Sequence, residues 1–396
     1  YNFMGEKDMN NFIYDIPTKV YFGTNQIEYL GSELKKFGKR VLLTYGGGSI
    51  KRPGLYDKII EELKKENLEI FELSNIAPNP RIDSVRQGAK ICKENNIDVL
   101  LAVGGGSTLD ATKWIAAGAC VDFDPWEFFS KWAPVEKALP VVTVLTLSAT
   151  GSEMDCGGVI SNLETKDKIG RMERPLLPKV SFLDPTITYS VNKYQTACGS
   201  VDMMSHIIEV YFNMESDLYM LDCFMEGMMK TIIKYTPIAM EHPDNYEARA
   251  NLMWTSSWAI NGFINGGKNQ AWSCHPMEHE LSAIYDITHG HGLAILTPRW
   301  LEYCLNEKTV SKYVQFGINV FGIDASLNPM EIAKKSVNLL SSFFFYTLGL
   351  EDTFTKVGIK QEDFPIMAQK ACGGSTLQGF IPLKQDDIEN IFKMCL

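Results

Sequence analysis

Two apolar runs in the first half of the chain end in the same four residues. Arg40-Val41-Leu42-Leu43-Thr44-Tyr45 runs into Gly46-Gly47-Gly48-Ser49, and Val99-Leu100-Leu101-Ala102-Val103 into Gly104-Gly105-Gly106-Ser107. A short continuous apolar run bounded by turn residues reads as a strand buried on both faces. Helical periodicity follows at about 54–67 and 109–119, with a third helix between the two runs at 82–94. Further strands are expected at 69–73, 141–146, 158–161 and 180–183. Strands alternating with helices imply a parallel sheet covered on both faces.

After Asp184-Pro185 the pattern changes. Met, Leu and Ile recur at helical spacing through 200–235, 246–262, 276–284 and 330–345, and strand-like runs become rare. The expected organisation is an α/β domain built on a parallel sheet over 1–188 and an all-α domain over 189–396. The Met-rich stretch 220–229 reads as core filler at helical spacing. The chain begins at Tyr1, so Met4 and Met9 are candidate starts.

Glycine in a strand-to-helix turn tolerates positive φ and leaves no side chain between backbone amides and a ligand. A following helix N-terminus adds partial positive charge, so each turn suits phosphate. Two such turns on one sheet favour a bound dinucleotide, although neither is a Gly-x-Gly-x-x-Gly fingerprint. Asp110 is expected either to cap the second helix or to bond a ribose hydroxyl, and Lys113 to be solvated. No acid occurs between Arg40 and Leu55; the first turn offers Ser49, Lys51 and Arg52 instead. That chemistry suits the 2′-phosphate of NADP, with NAD as the alternative.

The six histidines are unevenly spread, with His275, His279, His289 and His291 close together. Asp202 and His206 stand one helical turn apart, as do His275 and His279, with Pro276 suited to a first helical turn. The glycines of Thr288-His289-Gly290-His291-Gly292 leave the imidazoles room to turn inward. One Asp and three His from this set suit Fe²⁺, Zn²⁺, Co²⁺ or Ni²⁺, with a position left for substrate oxygen. His275-x-x-Glu278-His279 also matches the pattern of inverted zinc peptidases, in which the glutamate activates water. His242 reads as a loop residue without a site role.

Composition narrows the choice. A formal charge of −10 excludes a nucleic-acid protein, which needs a basic face. No stretch approaches the ~18 apolar residues of a membrane span. The nine cysteines form no Cys-x-x-Cys pair and read as reduced thiols of a cytoplasmic protein. No Lys or Arg occurs in 202–206 or 272–292, whereas Trp254, Trp258, Phe263 and Trp272 are near in sequence, which favours a small, uncharged, apolar substrate.

With these residues assembled, the chain resembles the iron-containing alcohol dehydrogenases, in particular the clostridial-type NAD(P)H-dependent butanol dehydrogenases. The resemblance runs essentially end to end and includes Ile16–Gly23, Thr44–Lys51, Pro78-Asn79-Pro80-Arg81, Thr146–Met154 and Trp272–His289. It implies an N-terminal Rossmann-like dinucleotide-binding domain over 1–188 and a helical metal-binding domain over 189–396, the dehydroquinate synthase-like fold, with the site in a cleft between the two domains. Carried over, the metal ligands are Asp202, His206, His275 and His289, with Fe²⁺ expected first and Zn²⁺ second. His279 matches a non-ligand histidine near the nicotinamide and is the best proton donor or relay. Gly104 to Ser107 match the pyrophosphate turn, Thr146 and Thr150 cofactor-facing positions, and Lys168 a lysine near the ribose. NAD-preferring relatives carry an Asp at about Gly47. His291 stands where relatives have a small or apolar residue; it is a support bonded to a ligand, a fifth candidate ligand or a neutral change. The resemblance implies a metal-dependent alcohol dehydrogenase or aldehyde reductase, with a homodimer formed through 12–22 as an edge strand. A polyol dehydrogenase or a phosphate-eliminating synthase on the same fold, and a zinc hydrolase, are the alternatives.

Overall fold

The computed structural model describes residues 10–51, 54–214, 218–268 and 271–396, so Met4, Met9 and Arg52 lie outside the described residues. The chain forms two compact units, each described in turn: 16–192 with 241–257, and 10–15 with 193–240 and 258–396. The expected single division at 188 therefore differs in form from the observed units, which exchange two short segments.

The first unit holds β1 (Lys19–Phe22), α1 (Leu30–Lys35), β2 (Arg40–Tyr45), α2 (Leu55–Lys65), β3 (Glu69–Leu73), α3 (Ile82–Glu94), β4 (Val99–Gly104), α4 (Gly106–Gly118), α5 (Glu127–Ser130), β5 (Val141–Leu145), β6 (Gly157–Asn162), β7 (Asp167–Met172) and β8 (Val180–Leu183). Six of these strands form one sheet in the order β1-β8-β5-β4-β2-β3, every pair parallel. Val41, Leu43 and Tyr45 pack with Leu30, Leu34, Ile59 and Leu63 of α1 and α2. Leu42 and Leu100 pack with Val85, Trp114, Ile115 and Phe128 of α3, α4 and α5. Both faces are thus covered, as the unbroken apolar runs require.

The strand at 158–161 is not part of that sheet. It belongs to the antiparallel hairpin β6–β7, in register Gly157↔Met172 to Asn162↔Asp167. The hairpin lies against α4, and this explains why Lys113 is not solvated. Its ammonium is fully buried and donates to Asp155 Oδ1 at 2.6 Å, Gly157 O at 2.8 Å and Asp155 O at 3.0 Å. The edge strand expected over 12–22 is confined to Lys19–Phe22; Pro17 has no N–H to offer a ladder.

The second unit is helical: α6 (Lys193–Tyr211), α7 (Tyr219–Glu241), α9 (Cys274–Tyr285), α10 (His289–Cys304), α11 (Val310–Phe321), α12 (Pro329–Ser342), α13 (Phe364–Ala371) and α14 (Gln385–Met394), with α8 (Tyr246–Trp258) largely in the first unit. α10 is central, packing on α6, α9, α12 and α14. Glycine makes one of these approaches possible: a Cβ on Gly290 would lie 2.0 Å from Cys198 O of α6. Gly290 thus serves backbone approach, and Gly292 leaves room for the Glu278 side chain, whose Cγ would lie 2.8 Å from an added Cβ.

Candidate active site

In the sheet unit, β2 sends its crossover to β3 on one side, and β4 returns on the other. The strand order reverses there, and crevices at such switch points, beyond the carboxyl ends of the strands, are where open α/β sheets bind ligands. Tyr45 pairs with Val103, so the two Gly-Gly-Gly-Ser turns leave the sheet side by side.

The turns do not work as the sequence suggested. Their glycines are not left-handed, with φ of −67° at Gly47 and −85° at Gly105. At the second turn the reason for glycine is space. A Cβ on Gly104 would lie 2.5 Å from Thr108 Oγ1, and one on Gly106 2.3 Å from Thr150 Cγ2. Gly105 caps α4 directly, so the amides of Gly106 and Ser107 open a helix suited to an anion. The first turn instead enters a single 3₁₀ turn, Gly48–Ile50, and α2 starts only after the left-handed Gly54. Cβ atoms on Gly47 or Gly48 would meet nothing within 4 Å, leaving open room beside Ser49 and Lys51.

Thr146 donates its amide to Gly104 O at 3.0 Å, and Thr150 packs on Gly106, so the loop after β5 walls the cradle. Asp110 caps no helix, and both of its carboxylate oxygens are engaged within the protein. It is buried within α4, accepting from Ser152 Oγ at 2.6 Å and Val159 N at 2.9 Å. Burial pushes its carboxyl up to about 6. Lys168 is buried in β7 opposite Ser161, in the part of the hairpin beyond Val159 and toward the start of α4.

In the helical unit three imidazoles converge on one carboxylate oxygen. The Nε2 atoms of His206, His289 and His275 lie 3.5, 3.6 and 3.7 Å from Asp202 Oδ1. Asp202 and His206 come from α6, His275 from the first turn of α9, and His289 from the first residue of α10. Asp202, His275 and His289 place ligand atoms within 4.8 Å of one another. Asp202 Oδ1 and His275 Nε2 are buried without a hydrogen-bond partner. Burial opposes ionisation of Asp202, but His206, helped by His275 and His289, outweighs it and holds the carboxyl below its usual range. Burial also drives His206 down to about 3, so its ring is neutral and can ligate.

Two carboxylates missed as supports in the sequence fix the imidazole orientations. Glu209 accepts from the amides of Ser273, Cys274 and His275 at 2.5, 2.8 and 3.1 Å and from His275 Nδ1. It therefore caps α9 and aims the His275 Nε2 lone pair at the cluster. Burial lowers the His275 pKa, but Glu209, with Asp202, overrides it and lifts it to about 9. Glu278 takes His289 Nδ1 on one oxygen and Ser282 Oγ on the other. It is fully buried and engaged, so it does not serve as the water-activating base of a peptidase pattern. Imidazole nitrogens converging on a buried carboxylate oxygen are a donor set that can take a cation once His275 gives up its proton, and N/O donors of this kind suit iron or zinc.

Trp272 stands edge-on to His275 and His206, with ring centroids at 4.9 and 5.8 Å. Trp254 packs on Phe22 in the sheet unit instead. His279, half-buried, shares a ligand-sized cluster with Glu278 and His289. His291 is bonded elsewhere, to Tyr194 OH at 3.1 Å and Glu351 O at 3.0 Å. Because a carbonyl only accepts, His291 donates through Nε2 and accepts the Tyr194 proton at Nδ1. His242 is exposed in the α7–α8 loop.

A glycine-rich helix entry at the switch point of a parallel sheet and an Asp–His₃ cluster on helices are the features expected of a metal- and nicotinamide-using oxidoreductase. Residues 17–185 match the family model of the iron-containing alcohol dehydrogenases, and 196–396 match that of the C-terminal region of the same family. The chain belongs to the iron-containing alcohol dehydrogenases, and it is an alcohol dehydrogenase or aldehyde reductase. It is 50% identical to the NADH-dependent butanol dehydrogenase A of Clostridium acetobutylicum, over 97% of this chain and 99% of the relative. It is 36% identical to the NADPH-dependent aldehyde reductase YqhD of Escherichia coli, over 91% and 93%. The crystal structure of an NADH-dependent butanol dehydrogenase A from Thermotoga maritima superposes with a TM-score of 0.93 at 38% identity, covering 98% of this chain and 99% of that one. No helix among the described residues is long and apolar enough to cross a membrane.

Proposed function

We propose that this chain interconverts small apolar aldehydes and primary alcohols, butanal and butanol among them, using NADP(H) in preference to NAD(H). The metal is Fe²⁺ first and Zn²⁺ second, held by Asp202, His206, His275 and His289. The observation that carries the reading is the convergence of three Nε2 atoms on one partnerless carboxylate oxygen. When bound, the divalent ion supplies Lewis-acid polarisation of the substrate oxygen and the nicotinamide supplies the hydride.

The protein's own groups do the rest. Glu209 and Glu278 hold two ligand rings by Nδ1, in the orientation that turns Nε2 toward Asp202. Trp272 covers the donor set on its apolar side. His279, beside His289 and not committed to the converging set, delivers the proton that completes the alcohol. The amides of Gly106 and Ser107 receive pyrophosphate, Thr146 and Thr150 wall it, and Lys168 serves the ribose. The first turn, with Gly46 to Ser49 and Lys51, receives the adenosine ribose and its 2′-phosphate. Lack of any acid in residues 41–54 supports NADP; named relatives include both NADH- and NADPH-dependent enzymes.

Lack of basic residues near the donors supports an uncharged substrate. A polyol is the second reading, favoured by the 28% identical 1,3-propanediol dehydrogenase of Citrobacter freundii. A homodimer in the cytoplasm is supported by β1 at the sheet edge and by nine free thiols. Anaerobic turnover of NADPH and NADH with butanal, and of NADP⁺ and NAD⁺ with 1,3-propanediol, alongside metal analysis, tests the whole reading. His206→Ala loses metal and turnover together, and His279→Ala keeps metal while losing rate. Full activity of metal-depleted His206→Ala would sink the site.

A further inference from the structure

Beside the first glycine turn stands a cluster that the reaction does not use. Tyr45 OH donates to Glu72 Oε2 at 2.7 Å, and Tyr56 OH to Glu72 Oε1 at 2.6 Å. The two rings meet edge to face, their centroids 5.9 Å apart. Lys51 Nζ lies 4.9 Å from the Tyr56 ring centroid and 5.5 Å from that of Tyr45. Both distances fall within cation–π range. Lys51 has no hydrogen bond or ion pair from its side chain among the described residues. Its backbone is fixed by Lys51 N donating to Gly48 O at 3.1 Å.

The arrangement separates two groups that would otherwise pair. Glu72 is the carboxylate bound by both phenols whose rings Lys51 lies over, and an exposed Lys and Glu within reach form an ion pair readily. Here each Glu72 oxygen already accepts a phenol proton. The rings, meanwhile, hold the ammonium by their faces, which costs it no charge and leaves its N–H donors open to an anion. That anion has room, because Cβ atoms on Gly47 and Gly48 would meet nothing within 4 Å.

We propose that Tyr45, Tyr56 and Glu72 are positioning residues that keep the Lys51 ammonium free of carboxylate and aimed at the 2′-phosphate, and so set the preference for NADPH over NADH. This rests on the NADP reading above. The phenols serve as donors throughout: burial and Glu72 raise Tyr45 to about 12, and Glu72 and burial raise Tyr56 to about 12.

The test is the ratio of kcat/KM for NADPH to that for NADH, in the metal-loaded full chain. Lys51→Ala lowers the ratio by about tenfold or more, the loss of one charge-assisted contact. Tyr56→Leu lowers it by about two- to fivefold, the scale of an exposed cation–π contact, through a higher KM for NADPH and not through kcat. Tyr56→Phe, which keeps the ring and frees one Glu72 oxygen, also lowers it. In the Lys51→Ala background Tyr56→Leu changes the ratio no further. An unchanged ratio in Tyr56→Leu, or an equal additional drop in the double variant, overturns the positioning role while leaving NADP use intact. A parent enzyme with no NADPH preference, unmoved by Lys51→Ala, overturns the cofactor reading and this proposal with it.

Discussion

Replacing Glu209 by Gln keeps shape and removes charge at the centre of the helical site. Four donors converge on the Glu209 carboxylate: three amides at the start of α9 and His275 Nδ1. A Gln side chain has one acceptor oxygen and an NH₂ that faces N–H groups, so at least one amide at the mouth of α9 loses its partner. The same change makes the His275 ring less basic toward a metal. Loss of such a support typically weakens metal binding about 10–100-fold, or ~1.4–2.7 kcal/mol.

Protons complicate the reading in a predictable direction. In the metal-free protein Glu209, against the effect of burial, lifts His275 to about 9, so below that pH the parent must release a proton to bind metal. The variant's imidazole sheds its proton at lower pH and competes less. The deficit of Glu209→Gln is therefore largest above pH 9 and narrows toward neutrality. Competition with a chromophoric zinc chelator at alkaline and neutral pH measures both values, with circular dichroism confirming the fold. Equal affinities above pH 9, or a deficit that grows as pH falls, would refute the argument.

Four further outcomes follow from the sheet unit. Gly106→Ala drives a Cβ to 2.3 Å from Thr150, so stability falls by about 1–3 kcal/mol and nucleotide affinity falls with it, read by denaturant melts and fluorescence titration. Gly47→Asp meets open space at an ordinary φ of −67°, so it folds normally, yet lowers the NADPH-to-NADH ratio by about tenfold or more through charge repulsion. Lys113→Met leaves the Asp155 carboxylate buried without its cation and costs about 3–5 kcal/mol in urea unfolding. Burial raises Glu153 from 4.5 to about 7, so folding keeps a proton that the unfolded chain releases. Its contribution is full below pH 4.5 and is lost as pH rises toward 7, at up to roughly 1.4 kcal/mol per unit. Glu153→Gln flattens that part of the stability–pH curve, and an unchanged slope would count against it.

Strands β2, β3 and β8 were legible to the residue, because runs such as Arg40–Tyr45 are apolar on both faces and stopped by glycine. Residues 158–161 were read as a strand, but not as part of a separate hairpin, since alternation does not say which partner a strand finds. Lys113 looked solvated because a helix buried all round gives no amphipathic signal to separate its faces. The six-histidine count pointed to the donor region, and clustering near 275–291 was enough to suggest a metal. The resemblance, not spacing, selected His289 over His279 and His291. Glu209 was invisible because its partners lie more than sixty residues away in sequence. A Gly-Gly-Gly-Ser run signals a ligand turn, yet only coordinates reveal that the second is tight and the first open.

The exchange of α8 between the two stretches of chain has a consequence for synthesis. Met253 packs into the cluster of Ala102, Leu109, Leu145 and Leu183, and Ser257 Oγ reaches the buried Glu153. As the nascent chain leaves the ribosome, every strand of the sheet is available once residue 183 has emerged, but that apolar patch stays bare until the segment ending at 257 follows. In between, the ribosome must also deliver α6 with Asp202 and His206, so half of the Asp–His₃ cluster is made before the sheet unit is complete. A fragment stopped at residue 192 would carry the complete sheet and still expose the patch of Ala102, Leu109, Leu145 and Leu183 that Met253 covers, the kind of surface through which partly made chains aggregate.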